Sequence, residues 1–140
     1  MGASMTTIAM NFTKLVVRDV GAQERFYCAM GLKVVSRNVG GEAEVAQEQS
    51  WLSATGDVSA YCLILTRFTE FPLPSPPVYP GEGWLVFNVS DVDATCRTVA
   101  NAGGKVVRAG QDRPEHNARA AVVTDPEGHF IELVGPMRAR

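Results

Sequence analysis

The chain carries an internal copy of itself. Residues 15–35 (LVVRDVGAQERFYCAMGLKVV) laid over residues 87–107 (FNVSDVDATCRTVANAGGKVV), a shift of 72 positions, are identical at nine of 21 places. The pairs are Val17/Val89, Asp19/Asp91, Val20/Val92, Ala22/Ala94, Arg25/Arg97, Gly31/Gly103, Lys33/Lys105, Val34/Val106 and Val35/Val107. Unrelated segments of that length share far fewer, so the chain is read as two copies of one module. Whatever fold one half adopts the other must match, within a length of 140 residues that suits about one domain.

Each copy has the same local signals. A short strand, Phe12–Val17 or Trp84–Val89, precedes an aspartate, Asp19 or Asp91, placed to accept hydrogen bonds from the first turn of a helix. Val20, Gln23, Phe26, Tyr27 and Met30 then share one helix face, as do Val92, Thr95, Cys96, Val99 and Ala102. Gly31 and Gly103–Gly104 end the helices, because glycine tolerates a left-handed conformation. Second strands follow at Lys33–Ser36 and Lys105–Arg108. Hairpins close the copies, Trp51–Ala54 with Ser59–Thr66 and Arg119–Thr124 with His129–Val134. Residues 38–50 and 109–117 read as loops. The expected architecture is α+β, two βαβββ modules.

A domain over residues 11–137 follows, with modules 11–70 and 82–137. The linker at 71–81 lies in FPLPSPPVYPGEG, where five prolines between Pro72 and Pro80 remove donors and fix φ. Residues 1–10 read as an N-terminal extension or added residues and lack the pattern of a signal peptide. Net charge is −2 without any Lys/Arg cluster, which argues against nucleic acid or anionic membrane as partner. No apolar run reaches the roughly 18 residues of a membrane span. Cys28, Cys62 and Cys96 form no C-x-x-C motif and read as reduced thiols in a cytoplasmic protein.

The two copied segments, together with DPEGHFIELVGP at 125–136, resemble the vicinal oxygen chelate superfamily of glyoxalases, extradiol dioxygenases, fosfomycin-resistance enzymes and bleomycin-resistance proteins. The resemblance implies a fold whose curved mixed sheets enclose a small-molecule pocket, and members that commonly pair as homodimers. In metal-using members each module supplies a ligand seven residues before the helix-starting aspartate and a second on its last strand. Carried over, with YCLIL (61–65) aligned to FIELV (130–134), these positions are Phe12, Trp84, Leu63 and Glu132. Only Glu132 has a donor atom, and a divalent site needs three or four protein ligands. No metal ligand set and no cofactor is expected.

Strand alternation divides the remaining residues. Thr13, Leu15, Val17, Cys62, Ile64, Leu85, Phe87, Val89, Ile131 and Leu133 are expected against the helices. Phe12, Lys14, Val16, Tyr61, Leu63, Leu65, Trp84, Val86, Asn88, Phe130 and Glu132 are expected to face inward. The candidate ligand-binding set is Phe12, Lys14, Tyr61, Leu63, Trp84, Val86, Asn88, Arg119 and Phe130, a mainly apolar and aromatic group suited to a planar ligand. Glu132 is expected to be held by Lys14 or Arg119; unpaired, it would be a candidate catalytic base. His129 is expected to cap or pack, and His116 to lie in an exposed loop at the pocket mouth. The function this supports is metal-independent binding of an aromatic or amphipathic small molecule. The alternative is a metal-free isomerase, cyclase or lyase using Glu132, and behind it a metal-dependent lyase or dioxygenase.

Overall fold

The computed structural model describes residues 8–41, 46–70 and 83–138. The first module runs β1 (Phe12–Val16), α1 (Val20–Met30), β2 (Lys33–Gly40), β3 (Gln47–Ser53) and β4 (Cys62–Phe68). The second runs β5 (Leu85–Asn88), α2 (Val92–Asn101), β6 (Lys105–Arg113), a 3-10 turn at Pro114–His116, β7 (Ala118–Thr124) and β8 (Phe130–Gly135). Two four-stranded sheets result, ordered β1-β4-β3-β2 and β5-β8-β7-β6. In each, the first strand lies parallel to the last and the other pairs are antiparallel. The copied sequence therefore yields a copied βαβββ fold. The proline-rich linker at 71–81 and residues 1–7 lie outside the described residues.

The helix starts match. Asp19 accepts from the Ala22 amide and Asp91 from the Ala94 amide, each at 2.9 Å. Gly31 closes α1 at φ 122°, and Gly103 follows α2 at φ 98°. Gln23, Phe26 and Tyr27 bury the inner face of α1, and Val92, Cys96 and Val99 that of α2. Three strands run longer than the sequence suggests. Residues 38–40 and 47–50 join β2 and β3, and residues 109–113 extend β6. These stretches are polar and lack apolar alternation; cross-strand pairing holds them, with β2 and β6 at sheet edges.

The core spans both modules. Phe26 and Tyr27 join Leu52, Leu63, Leu65, Val99, Val123, Ile131 and Leu133 in one buried cluster. Tyr27 of α1 lies 6.4 Å from Phe87 of β5, ring to ring. At the helix boundary Gly104 has no room for a side chain: a Cβ there would meet the Thr124 carbonyl, Val99 and the Phe26 ring.

A polar joint locks the modules. The β7–β8 turn of the second module, DPEGH, docks on the first. Asp125 is 2% exposed and its Oδ2 accepts from Gln23 Nε2 at 2.6 Å and Tyr27 Oη at 2.7 Å. Its Oδ1 accepts from the Glu127 and His129 amides. Glu127 accepts from the Arg18 and Asp19 amides at the entry to α1, at 2.8 and 2.9 Å. His129 spans the joint, with Nδ1 2.7 Å from Asp125 Oδ2 and Nε2 3.2 Å from the Val16 carbonyl. Both partners of the ring are acceptors, an arrangement that favours the doubly protonated, charged imidazole.

Candidate functional site

The register fixes which side chains share a face. Trp84 stands just before β5; Val86 pairs with Glu132 and Asn88 with Val134. Across β7, Thr124 pairs with Phe130, Val122 with Glu132 and Ala120 with Val134. Across β6, Arg108 pairs with Val122 and Arg113 with Ala118. These residues occupy the sheet face turned away from α2, while Leu85, Phe87, Val123, Ile131 and Leu133 pack in the core.

That face forms a cup of about 670 Å³. Trp84 and Phe130 stack at one end, centroids 4.8 Å apart and planes 16° from parallel. Ala118, Ala120, Val122, Val134 and Glu132 line it, together with Val107, Arg108, Arg113, Glu115 and His116. The alanines give it depth, since a larger side chain at either place would fill it. The 3-10 turn brings Glu115 and His116 to the rim, and Asn117 in the left-handed region (φ 51°) returns the chain into β7.

The equivalent face of the first sheet is a hydrogen-bonded platform. Lys14 Nζ donates to Gln47 Oε1 at 3.2 Å, and Gln49 Nε2 to the same oxygen at 2.8 Å. Trp51 Nε1 donates to Gln49 Oε1 at 3.1 Å. Phe12 meets the Trp51 ring edge-on at 5.1 Å.

Of the expected ligand-binding set, Trp84, Val86, Asn88 and Phe130 share the cup face with Glu132. Phe12 and Lys14 occupy the matching face of the other sheet. Three residues do not belong with them. Leu63 pairs with Thr13 and Leu65 with Leu15; both leucines lie in the core against the helices. Tyr61 hydrogen-bonds Thr13 on that same side. Conversely, Cys62 and Ile64 pair with Phe12 and Lys14 and share the outer face. The cause is a one-residue slip, which inverts every side chain of a strand. Ile64, opposite Lys14, is the true counterpart of Glu132, which lies opposite Val86. Arg119 is the third correction. It points to the helix side and holds Asp93 at 3.0 Å and Asp112 at 3.1 Å.

Glu132 is likewise not held as expected. Lys14 is engaged on the other sheet and Arg119 lies on the opposite face, and the Glu132 carboxylate has no hydrogen bond or ion pair among the described residues. Residues of the cup that sequence reasoning missed are Val107, Arg108, Arg113, Ala118, Ala120 and Val122. In ARAAVV (118–123) alanine and valine fall on both faces and the one charged residue, Arg119, lies on the helix side, so alternation misleads. Counting by two from Glu132 across the hairpin is the signal that finds them.

The profile of the Glyoxalase/Bleomycin resistance protein/Dioxygenase superfamily matches residues 9–133. The chain belongs to this superfamily. A probable lactoylglutathione lyase of Vibrio parahaemolyticus is 29% identical over 127 residues, 87% of this chain and 86% of that protein. A glyoxalase family protein from Bacillus cereus superposes with a TM-score of 0.78 at 20% identity, over 96% of this chain and 98% of that one. Glyoxalase I of Leishmania major gives 0.70 at 22% identity, over 92% and 87%. At such identities these structures speak to the superfamily fold. The superfamily's metal positions, corrected for the slip, are Phe12, Ile64, Trp84 and Glu132. Three are hydrocarbon or indole side chains, so the donor set does not fit a divalent ion. No cluster of three His, Cys, Asp or Glu side chains suited to a metal occurs among the described residues.

Proposed function

We propose that this member of the superfamily binds a planar aromatic small molecule in the cup of its second sheet without a metal ion. One observation carries the reading: at Trp84, one of the metal positions, there is instead an indole stacked on the Phe130 ring beside an alanine-floored hollow. At 4.8 Å the pair admits no third ring between them, so the ligand lies on the free face of the aromatic wall. Such stacking contributes about 0.5–1.5 kcal/mol beyond simple burial. Planar aromatic compounds are expected to quench Trp84 fluorescence, and Trp84→Phe to remove most of that response while Trp51→Phe leaves it. If Trp51→Phe removes the signal and Trp84→Phe does not, the cup is not the site.

The unpartnered Glu132 favours a second reading, a metal-free isomerase, cyclase or lyase with this carboxylate as base. Glu132→Gln separates the two: binding with no turnover to lose supports the binder, and loss of a chemical conversion with binding intact supports the enzyme. The likeness to a probable lactoylglutathione lyase suggests lyase chemistry as well, but any version that requires a metal conflicts with the donor set above.

The site also fits a homodimer. Helices α1 and α2 meet at the module boundary, leaving the outer faces of both sheets open. Phe12, Trp84 and Val86 are 47%, 49% and 60% exposed. Exposed apolar side chains of this kind, on each of the two sheet faces, suit an interaction surface. A second copy placing its first sheet over the cup would cover both faces at once, in the self-complementary manner of a two-fold dimer.

A further inference from the structure

The cup holds charge that no described residue of the chain uses. Arg108 and Arg113 both line it, projecting from the same face as Glu132. Neither guanidinium has a hydrogen bond or ion pair among the described residues. Elsewhere in the molecule Arg37, Arg67, Arg119 and Arg138 are each tied to a carboxylate. His116 adds an imidazole at the rim, and Lys105, paired with Thr124, stands at the end of the same face. The acids facing this space are Glu115, on the rim, and Glu132.

We propose that the ligand is an aromatic acid, its ring on the Trp84–Phe130 wall and its anionic group held by Arg108 and Arg113. This rests on the small-molecule reading of the cup and gives it a chemical class. Guanidinium is the group suited to it, because its planar fork matches a carboxylate with two parallel hydrogen bonds. The rows agree in scale. Arg108 lies two residue pairs along from the Phe130 row and two strands across, roughly 12 Å at ordinary strand rise and spacing, a span that a fused ring with a short acid arm and an arginine side chain cover together. Glu132 sets the direction. It sits in the Arg108 row with Val122 between them, so it repels an anion on the β8 side and leaves the β6 side to receive it.

Three probes of one shape test the charge: 2-naphthoate, 2-naphthalenemethanol and 2-naphthylmethylammonium, titrated into the full chain by calorimetry with Trp84 fluorescence in parallel. The acid is expected to bind at least about ten-fold tighter than the alcohol, with the ammonium weakest. That advantage shrinks as salt is raised from about 0.05 to about 0.5 M. Arg108→Gln combined with Arg113→Gln removes the acid's advantage, bringing its affinity to that of the alcohol. Arg108→Glu, which keeps Arg113 in case the double variant misfolds, shifts preference toward the ammonium. Equal affinities in the wild-type chain, or an advantage that survives both variants, overturn the acid while a Trp84-dependent response to the alcohol keeps the aromatic cup. If none of the three binds, the cup reading and the acid fall together.

Discussion

Asp125 and His129 are the residues on which the joint between modules depends most directly. Burial works against charge on both, yet each favours the charged form of the other. Burial raises the Asp125 carboxyl, but the hydrogen bonds from His129 and Tyr27 outweigh it and hold the group below its ordinary range. Burial lowers His129, but its hydrogen bond and attraction to Asp125 outweigh that and raise it. Burial, with Asp125 alongside, pushes the Tyr27 phenol far up, so it stays a donor. A raised histidine stabilises fully below its unfolded value and loses that contribution as pH rises through its folded value. A depressed aspartate stabilises above its unfolded value and loses that contribution as pH falls through its folded value. The joint is therefore strongest between the ordinary values, 3.8 for the aspartate and 6.5 for the histidine. Thermal melting of the wild-type chain is expected to show stability declining from neutral to alkaline pH, and His129→Gln to flatten that limb. An identical decline in the variant would mean that the pair does not couple the modules. Asp125→Asn leaves three donors facing a weaker acceptor and is expected to cost about 2–4 kcal/mol at neutral pH, read as a lowered denaturation midpoint.

At the scale of elements, Gly104 is the tightest point between the two helical layers. Gly104→Ala must displace the Thr124 backbone or the Val99 and Phe26 side chains, at a cost of about 1–3 kcal/mol in equilibrium unfolding. A neutral result would show that the modules do not pack as closely as described. The order of elements was legible because the copied aspartates, glycines and helix faces recur at one spacing. Facing was legible in β5 and β8, where Leu85, Phe87, Ile131 and Leu133 alternate with Val86, Asn88, Phe130 and Glu132. It was not legible in β4, because CLILT (62–66) is buried on both faces and apolar character does not distinguish the core side from the platform side. Arg119 was ambiguous for another reason. A guanidinium suits a ligand or an acid equally well, and only the register brings Asp93 and Asp112 to it. Arg113 was hidden because a polar stretch beside a proline, QDRPEH (111–116), has no strand periodicity to read, whereas Arg108 fell at the end of the expected strand and only the register after the β6 irregularity turns it into the cup.

For the whole molecule, both open sheet faces belong to one chain, and the half-exposed Phe12 and Trp84 show that neither covers the other. No described helix is long and apolar enough to cross a membrane, and the three cysteines are unpaired. Sedimentation equilibrium is expected to give about twice the chain mass of 15.1 kDa, and Phe12→Asp to shift the population toward monomer and weaken ligand binding with it. A wild-type monomer that binds at full strength would remove the second copy from the site. The central claim is that the cup recognises its ligand without a metal ion, because Phe12, Ile64 and Trp84 stand where donors would be needed. Calorimetric titration of 2-naphthoate into chelator-treated protein, repeated after adding back zinc or nickel, tests it most directly. The expected result is affinity unchanged within about two-fold. Binding that appears only after metal is restored, with about one ion retained per chain and lost in Glu132→Gln, would contradict it.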